Sequence, residues 1–497
     1  MADSETPTGS TPRRLAGLAI GALAFAGMLL APPPDGLSPA GWRVAAVAVL
    51  MAVLWISEAL PVAATALFPI ALFPLLGVSP VAKAAAPYAN PLIFLFLGGF
   101  VVALTMERWN LHTRIALAVL ARAGNRADRL AAAFMGVTAF LSMWVSNTAT
   151  TLMMIPIVLS VVRMAGGRDG INERISPALL LAVAYAASIG GIATLVGTPP
   201  NAFLAAFMLE RYGLRIGFAE WMAIGLPLAS VMLVIAWWLL TRVLFDLKDS
   251  VIAGADEAIS GHAGQGTPLD RGQKLAACLF VATAALWVLR PLIVKLTGLA
   301  ALDDTVIAVA AALAAFLIPV EPRRGRFLMD WDHAVKLPWG ILLLFGGGLA
   351  LAQAIGATGL AGWIGGKLAV FGGLPAVLIV LAAVAIVIFL TELTSNTATT
   401  ATFLPMLAAL ALTMGENPLL LAVPAAIAAS CAFMLPVATP PNAIVFGSGR
   451  LTVRQMARAG FLLNLAGIAV ITALAYALLP LVFGLEIGRI PDWAQGR

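Results

Sequence analysis

Charge is what this sequence has least of. Asp, Glu, Lys and Arg make up only 11% of its 497 residues, against 61% hydrophobic, and the mean hydropathy is +0.98. A soluble chain carries about a quarter charged residues. A soluble enzyme, a disordered protein and a secreted scaffold are therefore excluded. Cysteine is nearly missing: Cys278 and Cys431 both lie in apolar runs, which leaves no disulfide framework and no C-x-x-C metal site. The three histidines, His112, His262 and His333, fall in polar stretches, so imidazole chemistry at membrane depth has no candidate. There is no Walker-type phosphate loop to support ATP-driven transport. The period-two alternation of an outer-membrane barrel is also lacking. In such a chain the net charge of +6 is a topological signal rather than a nucleic-acid-binding one.

What is present is apolar runs long enough to cross a bilayer. They lie near 15–31, 41–59, 62–78, 91–107, 176–196, 219–244, 273–294, 303–320, 337–355, 418–437 and 456–484. The reading is an all-α integral membrane protein of about eleven transmembrane helices. Two more apolar stretches, 126–163 and 374–413, are each interrupted by small hydroxyl and amide residues, and are read as re-entrant helical hairpins. With the N-terminus cytoplasmic, most of the 30 Lys and Arg fall on the cytoplasmic side, and the C-terminus lies outside. Arg13-Arg14 ahead of the first run suggests a signal peptide, but Pro32-Pro33-Pro34 follow without a small-residue cleavage site, so an uncleaved span is expected. The loop-poor build suggests a bacterial inner membrane. The expected organisation is a cytoplasmic tail 1–14, a first span 15–40, a first repeat 41–244, a cytoplasmic linker 245–272, a second repeat 273–485 and a tail 486–497.

The repeats are visible in the residues. Ser146-Asn147-Thr148-Ala149-Thr150-Thr151 recurs as Ser395-Asn396-Thr397-Ala398-Thr399-Thr400. Phe96, Gly98-Gly99 and Leu111 recur at the same offset as Phe345, Gly347-Gly348 and Leu360. Thr198-Pro199-Pro200-Asn201-Ala202 returns as Thr439-Pro440-Pro441-Asn442-Ala443. About five spans plus a hairpin per half is an odd count, so the second copy runs inverted to the first. Inverted repeats with helices broken at matching places characterise secondary transporters. Duplication retained for packing alone explains the glycines but not two matched polar sets in apolar surroundings.

Those polar sets suit ion chemistry. Pro199-Pro200 and Pro440-Pro441 break their helices. The carbonyls of Gly197, Thr198, Ala438 and Thr439 are then left free, and unpaired backbone at membrane depth is tolerated where it lines a cavity. Oxygen ligands of this kind, with Ser146, Asn147, Ser395 and Asn396, suit a hard cation. The second hairpin arms begin at the same tips, and a helix N-terminus attracts an anion. No Lys or Arg sits in the tips, so an anionic substrate is neutralised by helix ends and co-bound cations. Neutral oxygens favour Na⁺ over a proton. Glu392 is the exception: it either braces the tip through backbone hydrogen bonds, the favoured reading, or takes a cation or proton itself. Glu58 reads as a span-end residue, and Trp55, Trp144 and Trp339 as packing or interfacial anchors.

In these residues the chain resembles the divalent anion:sodium symporter family of di- and tricarboxylate and sulfate carriers. The paired Ser-Asn-Thr motifs are at 146–148 and 395–397, the proline loops at 197–201 and 438–442, and the likeness spans about 15–485. The resemblance implies homodimers whose protomers have a scaffold domain and a transport domain moving by an elevator-like shift. It implies one sodium site from Ser142, Ser146, Asn147 and Gly197, and another from Thr391, Thr394, Ser395, Asn396 and Ala438. Substrate carboxylates would meet Ser146, Asn147, Thr148, Thr198 and Pro199 with Ser395, Asn396, Thr397, Thr439 and Pro440. Thr394 departs from the small apolar residue often found there. The function expected is Na⁺-coupled uptake of a C4-dicarboxylate such as succinate. A dicarboxylate exchanger and a sodium-coupled sulfate symporter are the alternatives, and an enzyme or a passive channel fits less well.

Overall fold

The computed structural model describes residues 11–164, 172–260, 268–299, 301–368 and 374–495. Most of the expected N-terminal tail, part of the 245–272 linker and the last two residues lie outside these. The described chain is almost wholly helical, as it must be where the medium cannot satisfy backbone polar groups. A short antiparallel strand pair, Pro319–Glu321 with Arg326–Phe327, and an isolated bridge between Arg126 and Val251 are the exceptions among the described residues.

Among the described residues seven helices are long and apolar enough to cross a membrane: Pro39–Ser57, Val81–Arg108, Arg174–Ile192, Phe218–Leu244, Arg271–Thr297, Trp339–Ala357 and Val453–Phe483. Other expected spans are shorter than the sequence suggests. The run 62–78 divides into Val62–Thr65 and Phe68–Leu75, with Pro61, Pro69 and Pro74 denying it continuous hydrogen bonding. The run 303–320 stops at Leu317 ahead of Pro319 and the strand pair. The run 418–437 is helical only over Leu419–Ala428. Ten residues rise about 15 Å, half of a hydrocarbon core of about 30 Å. This element is a half-helix, and apolarity alone did not distinguish it from a span. Leu111–Leu120 forms a further helix between the run 91–107 and the first interrupted stretch.

Both interrupted stretches are helical hairpins. The first has arms Ala127–Ser142 and Asn147–Met164, and the second has arms Ala376–Thr391 and Asn396–Thr413. Elements recur in the same order in both halves. Pro91–Arg108 answers to Trp339–Ala357, Leu111–Leu120 to Leu360–Leu368, and hairpin to hairpin. A broken helix (Asn172–Ile192; Leu419–Ala428) and a proline-led helix (Pro199–Tyr212; Pro440–Gly447) then follow in each half. The packing is reciprocal. Pro199–Tyr212 lies on Asn396–Thr413 of the other half, and Pro440–Gly447 lies on Asn147–Met164. Helix Asn172–Ile192 runs through the centre, buried without interruption from Ala178 to Ala187.

The paired glycines serve close helix approach, as the sequence suggested. A Cβ at Gly98 would stand 2.5 Å from the Ala308 backbone, and one at Gly347 2.1 Å from the Ala66 carbonyl oxygen. The linker is less loose than its composition implies. Ser250 accepts from the Ala127 amide (2.9 Å), and the Ile252 amide donates to Asn125 (2.8 Å), so the linker is paired to the base of the first hairpin. Arg126 and Arg242 both bind Asp128 at that base, and helix Ala255–Ser260 packs on Asn147–Met164.

Candidate functional site

Each hairpin turns over four residues, Met143–Ser146 and Glu392–Ser395, before a new helix opens on Asn147 or Asn396. The last residue of the first arm carries the hydroxyl that organises the turn. Ser142 Oγ lies 2.6 Å from Asn147 Oδ1 and 2.7 Å from the Ala187 carbonyl oxygen. In the second half Thr391 Oγ1 lies 2.8 Å from Asn396 Oδ1 and 2.9 Å from the Ala429 carbonyl oxygen. Both neighbours in each set are acceptors as the amides are oriented here, and a hydroxyl has one proton to give. Each set gathers three oxygens around one hydroxyl proton, a group of hard oxygen donors that suits a small cation.

The broken helices complete these clusters. Gly191 stands where a Cβ would come within 2.8 Å of Asn147 Oδ1 and 3.0 Å of the Gly197 carbonyl oxygen, and a Cβ at Gly197 would strike the Gly191 carbonyl at 2.5 Å. Ser142, Asn147 and Gly197 are thus brought together around Gly191. Ser146 stands at the outer side of the tip, exposed, where its hydroxyl accepts from the Ala149 amide at 3.2 Å as a helix cap. Thr148 is half-buried, and Thr397 is buried. Ser395 and Asn396 are half-buried, and Ala438 is buried in the second break. Thr394 turns its hydroxyl back into its own hairpin, donating to the Leu390 carbonyl (3.0 Å) or sharing a proton with Thr399 (2.6 Å).

The second break touches the first proline loop across the halves. Ser430, in the second break, donates its hydroxyl to Thr198 Oγ1 of the first loop at 3.5 Å. Thr439 instead caps its own helix, accepting from the Asn442 amide at 3.3 Å. Pro199 and Pro440 occupy the first helical position, where the missing amide costs nothing. Four helix N-termini, at Asn147, Pro199, Asn396 and Pro440, thus belong to the hairpins and breaks that carry these motifs.

Several residues that stabilise this arrangement received no role from sequence. Asn201 Nδ2 donates to the carbonyls of Gly191 (3.1 Å), Ile192 (3.2 Å) and Thr194 (2.8 Å). Asn442 Nδ2 does the same for Ala432 and Leu435, both at 3.1 Å. These are the asparagines of the repeated Thr-Pro-Pro-Asn, and the repetition itself was the available signal. Thr151 and Thr400, which close the repeated hexapeptides, donate back to the Asn147 and Asn396 carbonyls at 2.7 and 2.8 Å. Thr194 ties the first break to its tip by donating to the Met143 carbonyl and accepting from the Gly197 amide.

Glu392 is a brace, but to a different segment from its own hairpin. Its carboxylate accepts from the amides of Phe433 (2.7 Å), Met434 (2.9 Å) and Leu435 (3.0 Å), and from Asn464 Nδ2 (2.8 Å) in the last helix. Those amides are the donors that the interrupted helix cannot satisfy internally, and the Glu392 carboxyl accepts from all of them. Trp55 is a core anchor, wholly buried with its Nε1 donating to the Val62 carbonyl at 3.2 Å. Trp144, at the first tip, stacks on Phe218, which stacks on Trp287.

The sequence profile described as "Sodium:sulfate symporter transmembrane region" matches residues 13–485. A sodium-dependent dicarboxylate transporter, SdcS of Staphylococcus aureus strain USA300, is 41% identical over 484 residues, covering 96% of this chain and 93% of the relative. The chain belongs to the divalent anion:sodium symporter family. SdcS of strain MRSA252 matches to the same extent. Among solved structures, the Alcanivorax borkumensis YdaH transporter superposes with a TM-score of 0.59 at 14% identity, covering 95% of this chain and 97% of that one. Neisseria gonorrhoeae MtrF, described as illuminating a class of antimetabolite efflux pumps, gives 0.58 at 15% identity with 96% of each chain covered. At such identities the two structures speak to the fold alone: a helical membrane-transporter architecture.

Proposed function

We propose that this symporter-family protein carries a C4-dicarboxylate such as succinate into the cell, coupled to sodium. The observation that carries the reading is the matched pair of oxygen clusters, Ser142–Asn147–Ala187 and Thr391–Asn396–Ala429. One ion in each half would be held by Ser142, Ser146, Asn147 and Gly197, or by Thr391, Ser395, Asn396, Ala438 and the main-chain carbonyl of Thr394. The substrate would lie between the tips against Ser146, Asn147, Thr148, Thr198 and Pro199 and against Ser395, Asn396, Thr397, Thr439 and Pro440. Two sodium ions balance a dianion. Helix N-termini, each worth roughly half a positive charge, supply the rest without a fixed Lys or Arg. Sodium bound first raises the affinity for the dianion, and by linkage the dianion raises that for sodium. The sodium-dependent dicarboxylate transporters among the relatives support the substrate class.

The two halves act as inverted repeats in this reading, with the hairpins and breaks as a transport domain shifting against the remaining helices in an elevator-like motion within a homodimer. The protein sits in the plasma membrane with its N-terminus cytoplasmic and its C-terminus outside. Reconstituted into liposomes, it should accumulate labelled succinate only under an inward sodium gradient. Uptake that requires internal dicarboxylate and ignores sodium would make it an exchanger, and sulfate competing as well as succinate would overturn the dicarboxylate assignment.

A further inference from the structure

Away from the tips, the ends of three apolar helices meet around an open cavity of about 890 Å³. Its walls come from Trp109, just after helix Pro91–Arg108, from Asp270–Gly272 at the start of helix Arg271–Thr297, and from Val320–Arg326 after helix Asp304–Leu317. Four arginines line it: Arg271, Arg323, Arg324 and Arg326. Only Asp270 and Glu321 oppose them. Glu321 is already engaged by Arg324 (3.1 Å) and Arg326 (3.0 Å). Asp270 caps its helix by accepting from the Gln273 amide at 2.7 Å. Arg271 and Arg323 are exposed and have no carboxylate partner among the described residues.

The wall is built rather than incidental. Trp109 lies flat on the first turn of Arg271–Thr297, because Gly272 has no Cβ; one placed there would fall 2.0 Å from the indole ring. Its Nε1 donates to the Leu328 carbonyl (2.9 Å), its own carbonyl accepts from Gln273 Nε2 (3.1 Å), and Arg326 stacks over its ring at 5.7 Å. Beside the arginines the surface turns apolar. Leu313, Leu317, Phe327 and Trp331 are all exposed. A cationic recess opening onto an outward apolar face at the ends of membrane helices has the two-part chemistry of a phospholipid, with an anionic head and hydrocarbon tails.

We propose that this cavity binds the phosphodiester headgroup of an anionic membrane lipid, with Arg271 and Arg323 as the anion-binding pair. A free phosphate would use the same guanidiniums but has no use for the apolar apron beside them, which favours the lipid. The site is independent of the transport reading, since none of its residues belongs to the tips or the proline loops.

The test is native mass spectrometry of the full chain in detergent, titrated with phosphatidylglycerol or phosphatidylcholine, with inorganic phosphate as a separate arm. The wild-type chain retains phosphatidylglycerol in preference to phosphatidylcholine, and Arg271→Gln with Arg323→Gln weakens that retention about tenfold or more, given the free energy each basic residue contributes at an anionic surface. Arg323→Glu alone, at an exposed position that folding does not need, abolishes the preference and serves if the double variant is unstable. An undiminished preference in Arg323→Glu overturns the proposal. So does inorganic phosphate displacing the lipid completely, because the cavity would then be a free-anion site.

Discussion

Ser430 donates its hydroxyl to that of Thr198 at 3.5 Å, so the broken helix of the second half touches the proline loop of the first. Both side chains are buried. If the substrate lies between the halves, this contact borders it. Thr198→Ala is expected to raise the KM for succinate about tenfold, the worth of one hydrogen bond to a charged group, while the sodium dependence keeps its shape. An unchanged KM would take Thr198 out of the substrate's surroundings.

Asn147 and Asn396 stand in equivalent oxygen clusters. Asn147→Ala and Asn396→Ala should each abolish uptake in proteoliposomes while the purified variants stay monodisperse by size exclusion. Normal uptake in either one would remove that half from ion binding.

Gly191→Ala tests the first cluster from its other side. The added methyl would come 2.8 Å from Asn147 Oδ1 and 3.0 Å from the Gly197 carbonyl oxygen, so one of them must move. The sodium concentration giving half-maximal uptake should rise at least tenfold. The opposite case is Thr394→Ala. Because the Thr394 hydroxyl is spent on Leu390 and Thr399, its loss should change that sodium concentration less than about threefold, within the worth of a single hydrogen bond. A larger change would mean that the hydroxyl itself meets the ion.

Asn201→Ala leaves three carbonyls of the broken helix without their shared donor. A buried polar group left unpaired costs about 1–3 kcal/mol, so the variant should unfold several degrees lower in a thermal melt. Asn201→Asp, which keeps the size but removes the amide donor, should do the same. A melt like that of the wild type in both variants would show that the clamp is dispensable.

Much of this architecture can be read from the chain because its two halves repeat their polar residues in apolar surroundings. Hairpin positions, tips and proline breaks all followed from that. Helix length did not. Residues 418–437 are as apolar as a full span, yet they stop being helical after Ala428, because the acid that satisfies the freed amides of Phe433, Met434 and Leu435 comes from Glu392, about 40 positions earlier in the chain. Nothing local encodes that contact. The same holds for Asn201 and Asn442: their repetition marks them, but their role as carbonyl clamps depends on the backbone folding back over them. The pairing of the linker with Asn125 and Ala127 is likewise long-range.

The doubling is not perfect at the point where tip meets break. In the first half the fastening is neutral, the Thr194 hydroxyl on the Met143 carbonyl. In the second it is a buried carboxylate gripping four donors. Two pockets of near-identical chemistry are therefore hung on unlike latches, a single hydroxyl in the earlier half and one carboxyl with four donors in the later.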